Sequence, residues 1–195
     1  MAEKTGERKD QILQTLAQML ENPAGEKVTT AALAARIKVS EAALYRHFKG
    51  KAEMFEGLIE FVEQTLFGLI NKITSDEKSG VRQVEGIITV LLAFAQRNRG
   101  MTRVLIGDVL VNEDDRLQLR INQLHERLEA ALKQALRFGV SQKEIAQEVD
   151  IAAQANLMMS FVTGRWHQFA KSGFKREPAE LWPKQWRQLM EGVIA

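Results

Sequence analysis

Apolar side chains recur every three or four residues along almost the whole chain, and this spacing restricts the fold more than any other feature. A clear example is the stretch 51–73, where one stripe of a helix would consist of Phe55, Leu58, Ile59, Val62, Leu66, Leu69, Ile70 and Ile73. Alternation with a period of two residues, which is typical of strands, never persists, and the chain has only three prolines. The sequence therefore predicts an all-α fold.

The composition excludes several classes of protein. The 195 residues are 45% hydrophobic, which is enough for one sizeable domain or for a small domain joined to a larger one. Because the chain has no cysteine and its three histidines are scattered, we expect no disulfide, no metal site and no cofactor. The charged N-terminus and the lack of an apolar run of roughly 20 residues predict a soluble cytoplasmic protein that does not cross a membrane. The sequence contains neither a Gly-rich phosphate loop nor a Gly-x-Ser-x-Gly motif, so we do not expect an enzyme.

Two short helical patterns meet in residues 29–48 with almost nothing between them. Thr29 or Thr30 is suited to cap the first helix, and Ser40 is suited to cap the second. The linker is only Lys38-Val39, so the two helix axes must cross steeply, as they do in a helix-turn-helix. The exposed face of the second helix begins with small residues and ends with groups that suit phosphate oxygens, namely Tyr45, Arg46 and His47.

Positive charge is concentrated around this motif, although the whole chain has a net charge of only +2. Between residues 27 and 51 the single anion Glu41 stands against six cations: Lys27, Arg36, Lys38, Arg46, Lys49 and Lys51. Such an excess is typical of a surface that binds a polyanion and releases its counterions. A solvated basic face on an ordinary helical hairpin is the alternative interpretation.

The segment TTAALAARIKVSEAALYRHFKGKAEMF resembles the DNA-binding domain of the TetR family of regulators. The similar features are the Thr that opens the second helix, Leu-Ala within it, Val-Ser at the turn, Leu-Tyr-x-His-Phe on the recognition helix and a Lys at the start of helix four. The resemblance implies a three-helix DNA-binding domain at 1–52 and a helical regulatory and dimerisation domain at 53–195. It also implies a homodimer formed through the last two helices, with a palindromic site on double-stranded DNA as its partner.

The family also implies roles for individual residues of this motif. Phosphates would be held by Thr30, Tyr45, His47 and Lys51, and base edges would be approached by Ser40, Glu41, Ala42 and Ala43. Glu41 could accept a hydrogen bond from a cytosine amino group. Lys38 stands where the family usually has the Gly of the turn, so a left-handed backbone there would cost up to roughly 1–2 kcal/mol, which an added phosphate contact would offset.

A second set of segments is similar to a narrower family, the TetR-type nucleoid occlusion factors. These segments are SEAALYRHF, MFEGLIEFVE, DEK, LLAFAQRNRGMTRVL and DRLQLRINQLHERLEA, and they cover most of residues 11–132. Members of this family bind chromosomal sites and restrain the tubulin-like division protein FtsZ, whose C-terminal tail lies in a groove between the fourth helix and the next long helix. The resemblance places that groove at Phe61, Leu69, Val90, Ala93, Arg97 and Asn98, and it implies association with the nucleoid.

Helical geometry allows some of these groove positions to be assessed from the residues alone. At about 100° per residue, Phe61 lies about 120° from the middle of its apolar stripe, so this aromatic side chain would be exposed to solvent or to a partner. The alternative is that a neighbouring loop or the DNA-binding domain covers it. Val90, Ala93 and Arg97 share one face, which combines small side chains with a cation. Leu69 replaces an Arg of the family and falls in the predicted core stripe, and Arg99 replaces a Pro.

Two other functions remain open at this point. A TetR-type transcriptional repressor that a small molecule releases from DNA would need a hydrophobic cavity of several hundred Å³. A helical protein that binds only other proteins would show no salt-dependent affinity for DNA. In all three cases the apolar face near the C-terminus predicts a dimer interface, formed by Met158, Met159, Phe161, Trp166, Phe169, Trp182 and Trp186.

Overall fold

The computed structural model describes residues 2–22 and 28–195, with side chains from residue 7 onward. These residues form nine helices: α1 (Ala2–Leu20), α2 (Thr30–Arg36), α3 (Glu41–Tyr45), α4 (Lys51–Asp76), α5 (Gly80–Arg97), α6 (Arg99–Leu105), α7 (Asp115–Ser141), α8 (Ile151–Lys171) and α9 (Trp182–Leu189). The described residues include no strand, only an isolated antiparallel bridge between Ile145 and Ile194. The all-α prediction is therefore confirmed. None of the described helices is both long and apolar enough to span a bilayer.

The chain divides into two compact units that are each assembled from separate stretches of sequence. The first unit comprises Met1–Val62 and Asn98–Ile121, and the second comprises Glu63–Arg97 and Asn122–Ala195. Helices α4 and α7 each contribute residues to both units. The predicted DNA-binding domain, 1–52, lies wholly within the first unit, which also takes in α6.

Helix α1 is the centre of the first unit, where it contacts both α2 and α6. Its buried apolar side consists of Ile12, Leu16 and Leu20. Helix α6 approaches so closely that a Cβ added to Gly100 would lie 2.0 Å from the carbonyl oxygen of Ala17. Nη1 of Arg103 donates hydrogen bonds to the carbonyl oxygens of Leu20, at 3.3 Å, and Asn22, at 3.4 Å. Arg103 therefore satisfies carbonyl groups at the C-terminal end of α1, where the helix has no partners of its own.

Aromatic residues of α8 and α9 form part of the core of the second unit. Trp166 Nε1 donates to the Leu91 carbonyl at 3.1 Å, and Trp182 Nε1 donates to Thr89 Oγ1 at 2.8 Å. Of the residues predicted to form the dimer interface, five are buried within the protomer, namely Met158, Met159, Trp166, Phe169 and Trp182. The prediction that these five form a dimer face is wrong, because α8 contacts α5 and its most apolar side is used within the protomer.

Candidate nucleic-acid interface and partner groove

The two short helices of the predicted helix-turn-helix are both present and both capped. Thr29, rather than Thr30, caps α2, since its Oγ1 accepts a hydrogen bond from the Ala32 amide at 3.1 Å. Ser40 caps α3, and its Oγ accepts from the Ala43 amide at 3.2 Å. Each cap accepts a hydrogen bond from an amide in the first turn of its helix, so the sequence signals for two helix starts are confirmed.

Lys38 makes the turn between α2 and α3 with a left-handed backbone, at φ 57°. The Lys38 amide donates to the Ala35 carbonyl at 3.1 Å, and the Val39 amide donates to the Ala34 carbonyl at 3.0 Å. This pair of bonds is the Schellman arrangement that closes a helix around a left-handed residue. A lysine therefore occupies a conformation that favours glycine, as the sequence analysis anticipated.

The helix-turn-helix holds its predicted DNA-contacting residues at or near the surface. Its apolar side is buried at Leu33, Ala34, Leu44 and Phe48. Of the predicted contact residues, the exposed ones are Lys38, Ser40, Glu41, Ala42 and Tyr45, and the partly exposed ones are Thr30, Ala43, His47 and Lys51. The predicted cation Lys27 lies outside the described residues. Small side chains at the start of α3 thus leave its backbone accessible to another surface.

Two of the predicted phosphate-binding side chains are held by specific surroundings. The Lys51 ammonium forms an ion pair with Glu113 and lies 5.5 Å from the centre of the Phe55 ring. A phosphate at Lys51 would therefore compete with a carboxylate. Nδ1 of His47 is buried and has no hydrogen-bond partner among the described residues, so a contact between this ring and DNA would use Nε2.

Thr30 and Glu41 are joined across the motif. Thr30 is the first residue of α2 and Glu41 is the first residue of α3. The Thr30 hydroxyl donates to Glu41 Oε2 at 2.7 Å. The family implies a phosphate contact for Thr30 and a base-edge contact for Glu41, whereas the fold joins the two side chains by a hydrogen bond.

A second candidate site is an open groove of about 410 Å³ in the second unit, between α4 and α5. Its apolar lining consists of Leu69, Ile73, Gly86 and Val90, and its charged lining consists of Lys72, Asp76, Glu77 and Arg82. Leu69 and Val90 are groove positions that the family resemblance implies, whereas the charged lining residues were not predicted. Spacing contained a usable signal, because residues 69, 72, 73 and 76 recur at helical intervals on α4, as 82, 86 and 90 do on α5.

The placement of Leu69 in the core is wrong, since its side chain is 42% exposed. Leu69 does lie on the side of α4 that bears the apolar stripe. Across the groove Gly86 has no side chain, and a Cβ added there would lie 3.2 Å from Ile73. Leu69 is therefore a half-exposed apolar wall of the open groove.

The remaining groove positions divide between the two units. Phe61, in the first unit, is 48% exposed, which confirms the prediction from helical periodicity. Ala93 and Arg97 follow Val90 on α5, with Ala93 partly exposed and Arg97 exposed. Asn98 belongs to the first unit and directly precedes α6.

Among the residues that the structure describes, no three metal-binding side chains lie close enough together to hold a metal ion.

The fold and its exposed recognition helix define a TetR-type DNA-binding regulator. Residues 12–58 match the bacterial regulatory proteins of the tetR family, and residues 78–193 match the SlmA-like form of the tetracyclin repressor-like C-terminal domain. A TetR transcription regulator from Haloarcula marismortui has the same fold, with a TM-score of 0.82 over 97% of this chain and 100% of that chain, although it is only 14% identical.

Relatives from other bacteria are far more similar in sequence. The nucleoid occlusion factor SlmA of Idiomarina loihiensis is 48% identical over 195 residues, which cover 100% of both chains. That of Alteromonas mediterranea is 50% identical over 185 residues, which cover 95% of each chain. The chain belongs to the SlmA family of TetR-type DNA-binding regulators, which are not enzymes.

Proposed function

We propose that this protein is a nucleoid occlusion factor, which binds chromosomal DNA as a homodimer and blocks assembly of the division ring by binding FtsZ. The observation that carries the proposal is the open apolar groove between α4 and α5, in a chain whose relatives are nucleoid occlusion factors. Leu69 and Val90, two of the positions that the family implies for the FtsZ tail, line this groove. DNA binding would keep the protein on the nucleoid.

Binding to DNA would use α3 as the recognition helix. A two-fold dimer carries one such helix per protomer, so its site would be a palindrome with half-sites about one helical turn apart. Arg36, Lys38, Arg46 and Lys49 are exposed around the motif and would supply phosphate contacts. We therefore expect affinity for the site to fall steeply as the salt concentration rises.

The groove suits a short peptide that carries both apolar and acidic side chains. Leu69 and Val90 offer apolar walls. Lys72 and Arg82 of the lining, together with the exposed Arg97 on α5, outnumber the carboxylates of Asp76 and Glu77. A peptide laid into a groove gains affinity from side chains that fill it and specificity from charges at its ends. The C-terminal tail of FtsZ is the partner that the family implies for these positions.

Fluorescence anisotropy of a labelled FtsZ C-terminal tail peptide, with and without the selected palindromic DNA, tests the proposal. Arg97→Asp should remove peptide binding and leave DNA affinity unchanged. The matched control is Arg137→Asp, which makes the same charge change at an exposed position on α7 and should leave peptide binding intact. Equal peptide affinity in the Arg97→Asp protein would overturn the groove assignment. Absence of peptide binding in both conditions would favour a repressor that responds to a small molecule.

A further inference from the structure

We propose that Thr30 and Glu41 act together to read a cytosine, with the Thr30 hydroxyl as the positioning group and the Glu41 carboxylate as the acceptor. The proposal rests on the proposed binding of DNA through α3, and it specifies what part of that surface recognises. Its starting point is the 2.7 Å hydrogen bond from Thr30 Oγ1 to Glu41 Oε2, which joins the first residues of α2 and α3.

The hydrogen atoms available at Thr30 decide its role. A threonine hydroxyl has one hydrogen to donate, and phosphate oxygens can only accept. While that hydrogen is donated to Glu41, the side chain of Thr30 cannot also hold a phosphate. Its effect on DNA is therefore exerted through Glu41, whose side chain it restrains at the start of the recognition helix.

Glu41 remains fully able to accept a further bond. The Thr30 hydroxyl is neutral, and none of the ion pairs within the described residues includes Glu41. The carboxylate is exposed, and only one of its oxygens receives the bond from Thr30. A negatively charged acceptor is thus presented on the surface that the surrounding cations direct towards DNA.

The chemistry of the major groove selects the base. Guanine presents two acceptors there and thymine presents an acceptor and a methyl group, so both repel a carboxylate or leave it unpaired. Adenine presents its amino group beside the acceptor N7, whereas cytosine presents an amino donor with no adjacent acceptor on the same base. Glu41 therefore fits the N4 amino group of cytosine best.

The same charge weakens binding to every other sequence. A carboxylate that finds no donor is held close to the phosphate backbone, where the interaction is repulsive. Glu41 should therefore lower the affinity for random DNA at the same time as it raises the affinity for the correct site. Discrimination between sites then arises from an unfavourable interaction as well as a favourable one.

The test compares four proteins, the wild type, Glu41→Gln, Thr30→Val and Thr30→Ser, on the selected palindrome, on palindromes substituted at each position and on random duplex DNA at fixed salt. For Glu41→Gln we expect about tenfold weaker binding to the selected site and tighter binding to random DNA. Thr30→Val keeps the shape of the side chain but has no hydroxyl, and it should lose the cytosine preference at the same position of each half-site. Thr30→Ser should restore that preference.

Each outcome separates the inference from the function on which it rests. If Thr30→Val weakens binding to the selected and random DNA by the same factor, Thr30 holds a phosphate and the inference fails. If the cytosine preference is unchanged in Glu41→Gln, the inference also fails. If the wild-type protein shows no salt-dependent affinity for any DNA, the proposed DNA binding itself fails. Circular dichroism melting of all four proteins identifies any variant that is misfolded.

Discussion

Removal of the Glu113 carboxylate should strengthen DNA binding, because it frees Lys51 at the start of α4. The ion pair between these residues is partly buried, with the Lys51 side chain 22% exposed and the Glu113 side chain 19% exposed. A DNA phosphate that approaches Lys51 must displace Glu113 or share the ammonium with it. Glu113→Gln removes the competing charge and preserves the size of the side chain.

The expected gain follows from the electrostatics of this pair. Two unit charges about 4 Å apart attract by about 4 kcal/mol at an effective dielectric constant near 20. Partial exposure and the cost of desolvating both groups offset most of that attraction, so we assign about 1 kcal/mol to the competition. This corresponds to about fivefold tighter binding of DNA. If Lys51 then neutralises one more phosphate, the slope of log affinity against log salt should steepen by about 0.9.

Anisotropy titrations of a labelled palindrome over a range of salt concentrations measure both quantities. The proteins are the wild type, Glu113→Gln, Lys51→Met and the double variant, with Glu126→Gln as a control for the same change in net charge at an exposed position. The gain from Glu113→Gln should exceed that from Glu126→Gln and should vanish when Lys51 is absent. Unchanged or weaker DNA binding by Glu113→Gln, or an equal gain in the Lys51→Met background, would refute the reasoning.

Three further predictions concern stability and are measured by thermal or denaturant unfolding. Gly100→Ala forces a Cβ against the backbone of α1 and should destabilise the protein by about 1–3 kcal/mol, whereas Gly68→Ala, in a helix with open space around it, should stabilise it by about 0.8 kcal/mol. Lys38→Gly removes the steric strain of a side chain on a left-handed backbone and should raise the Tm by about 2–4 °C. An unchanged Tm would show that Lys38 is not strained. A hydrogen bond from Lys133 holds the pKa of Glu129 below its ordinary value of 4.5. Its contribution to stability is present above that value and is lost as the pH falls through the lowered pKa, so the difference between wild type and Glu129→Gln should disappear in acid.

The features that could be predicted from the sequence are those that depend on neighbouring residues. Helix caps and a short turn are local signals, so the motif around Ser40 was accessible before the structure. The left-handed backbone at Lys38 was implied by the family resemblance, because the family usually has Gly at that position. The exposure of Phe61 followed from its angle on a single helix. None of these inferences required knowledge of which helix lies against which.

The features that were missed depend on contacts between distant parts of the chain. Leu69 is 42% exposed because it lines the open groove between α4 and α5, a contact between helices that the periodicity of α4 alone does not show. Trp166 is buried because α8 contacts α5 within one protomer, whereas an apolar helix face alone fits a core and a dimer interface equally well. Lys51 pairs with Glu113, which lies 62 positions further along the chain.

The first compact unit has a consequence for the order in which the protein is made. Gly100 and Arg103 cover and cap α1, yet they lie in the stretch Asn98–Ile121, which follows the groove residues in the chain. During synthesis from the N-terminus, the helix-turn-helix emerges early but cannot complete its surroundings until that later stretch has been translated. Any nascent or truncated chain long enough to finish the DNA-binding end already contains Leu69 and Val90. Premature termination therefore yields no product that has a completed DNA-binding end and lacks these groove residues.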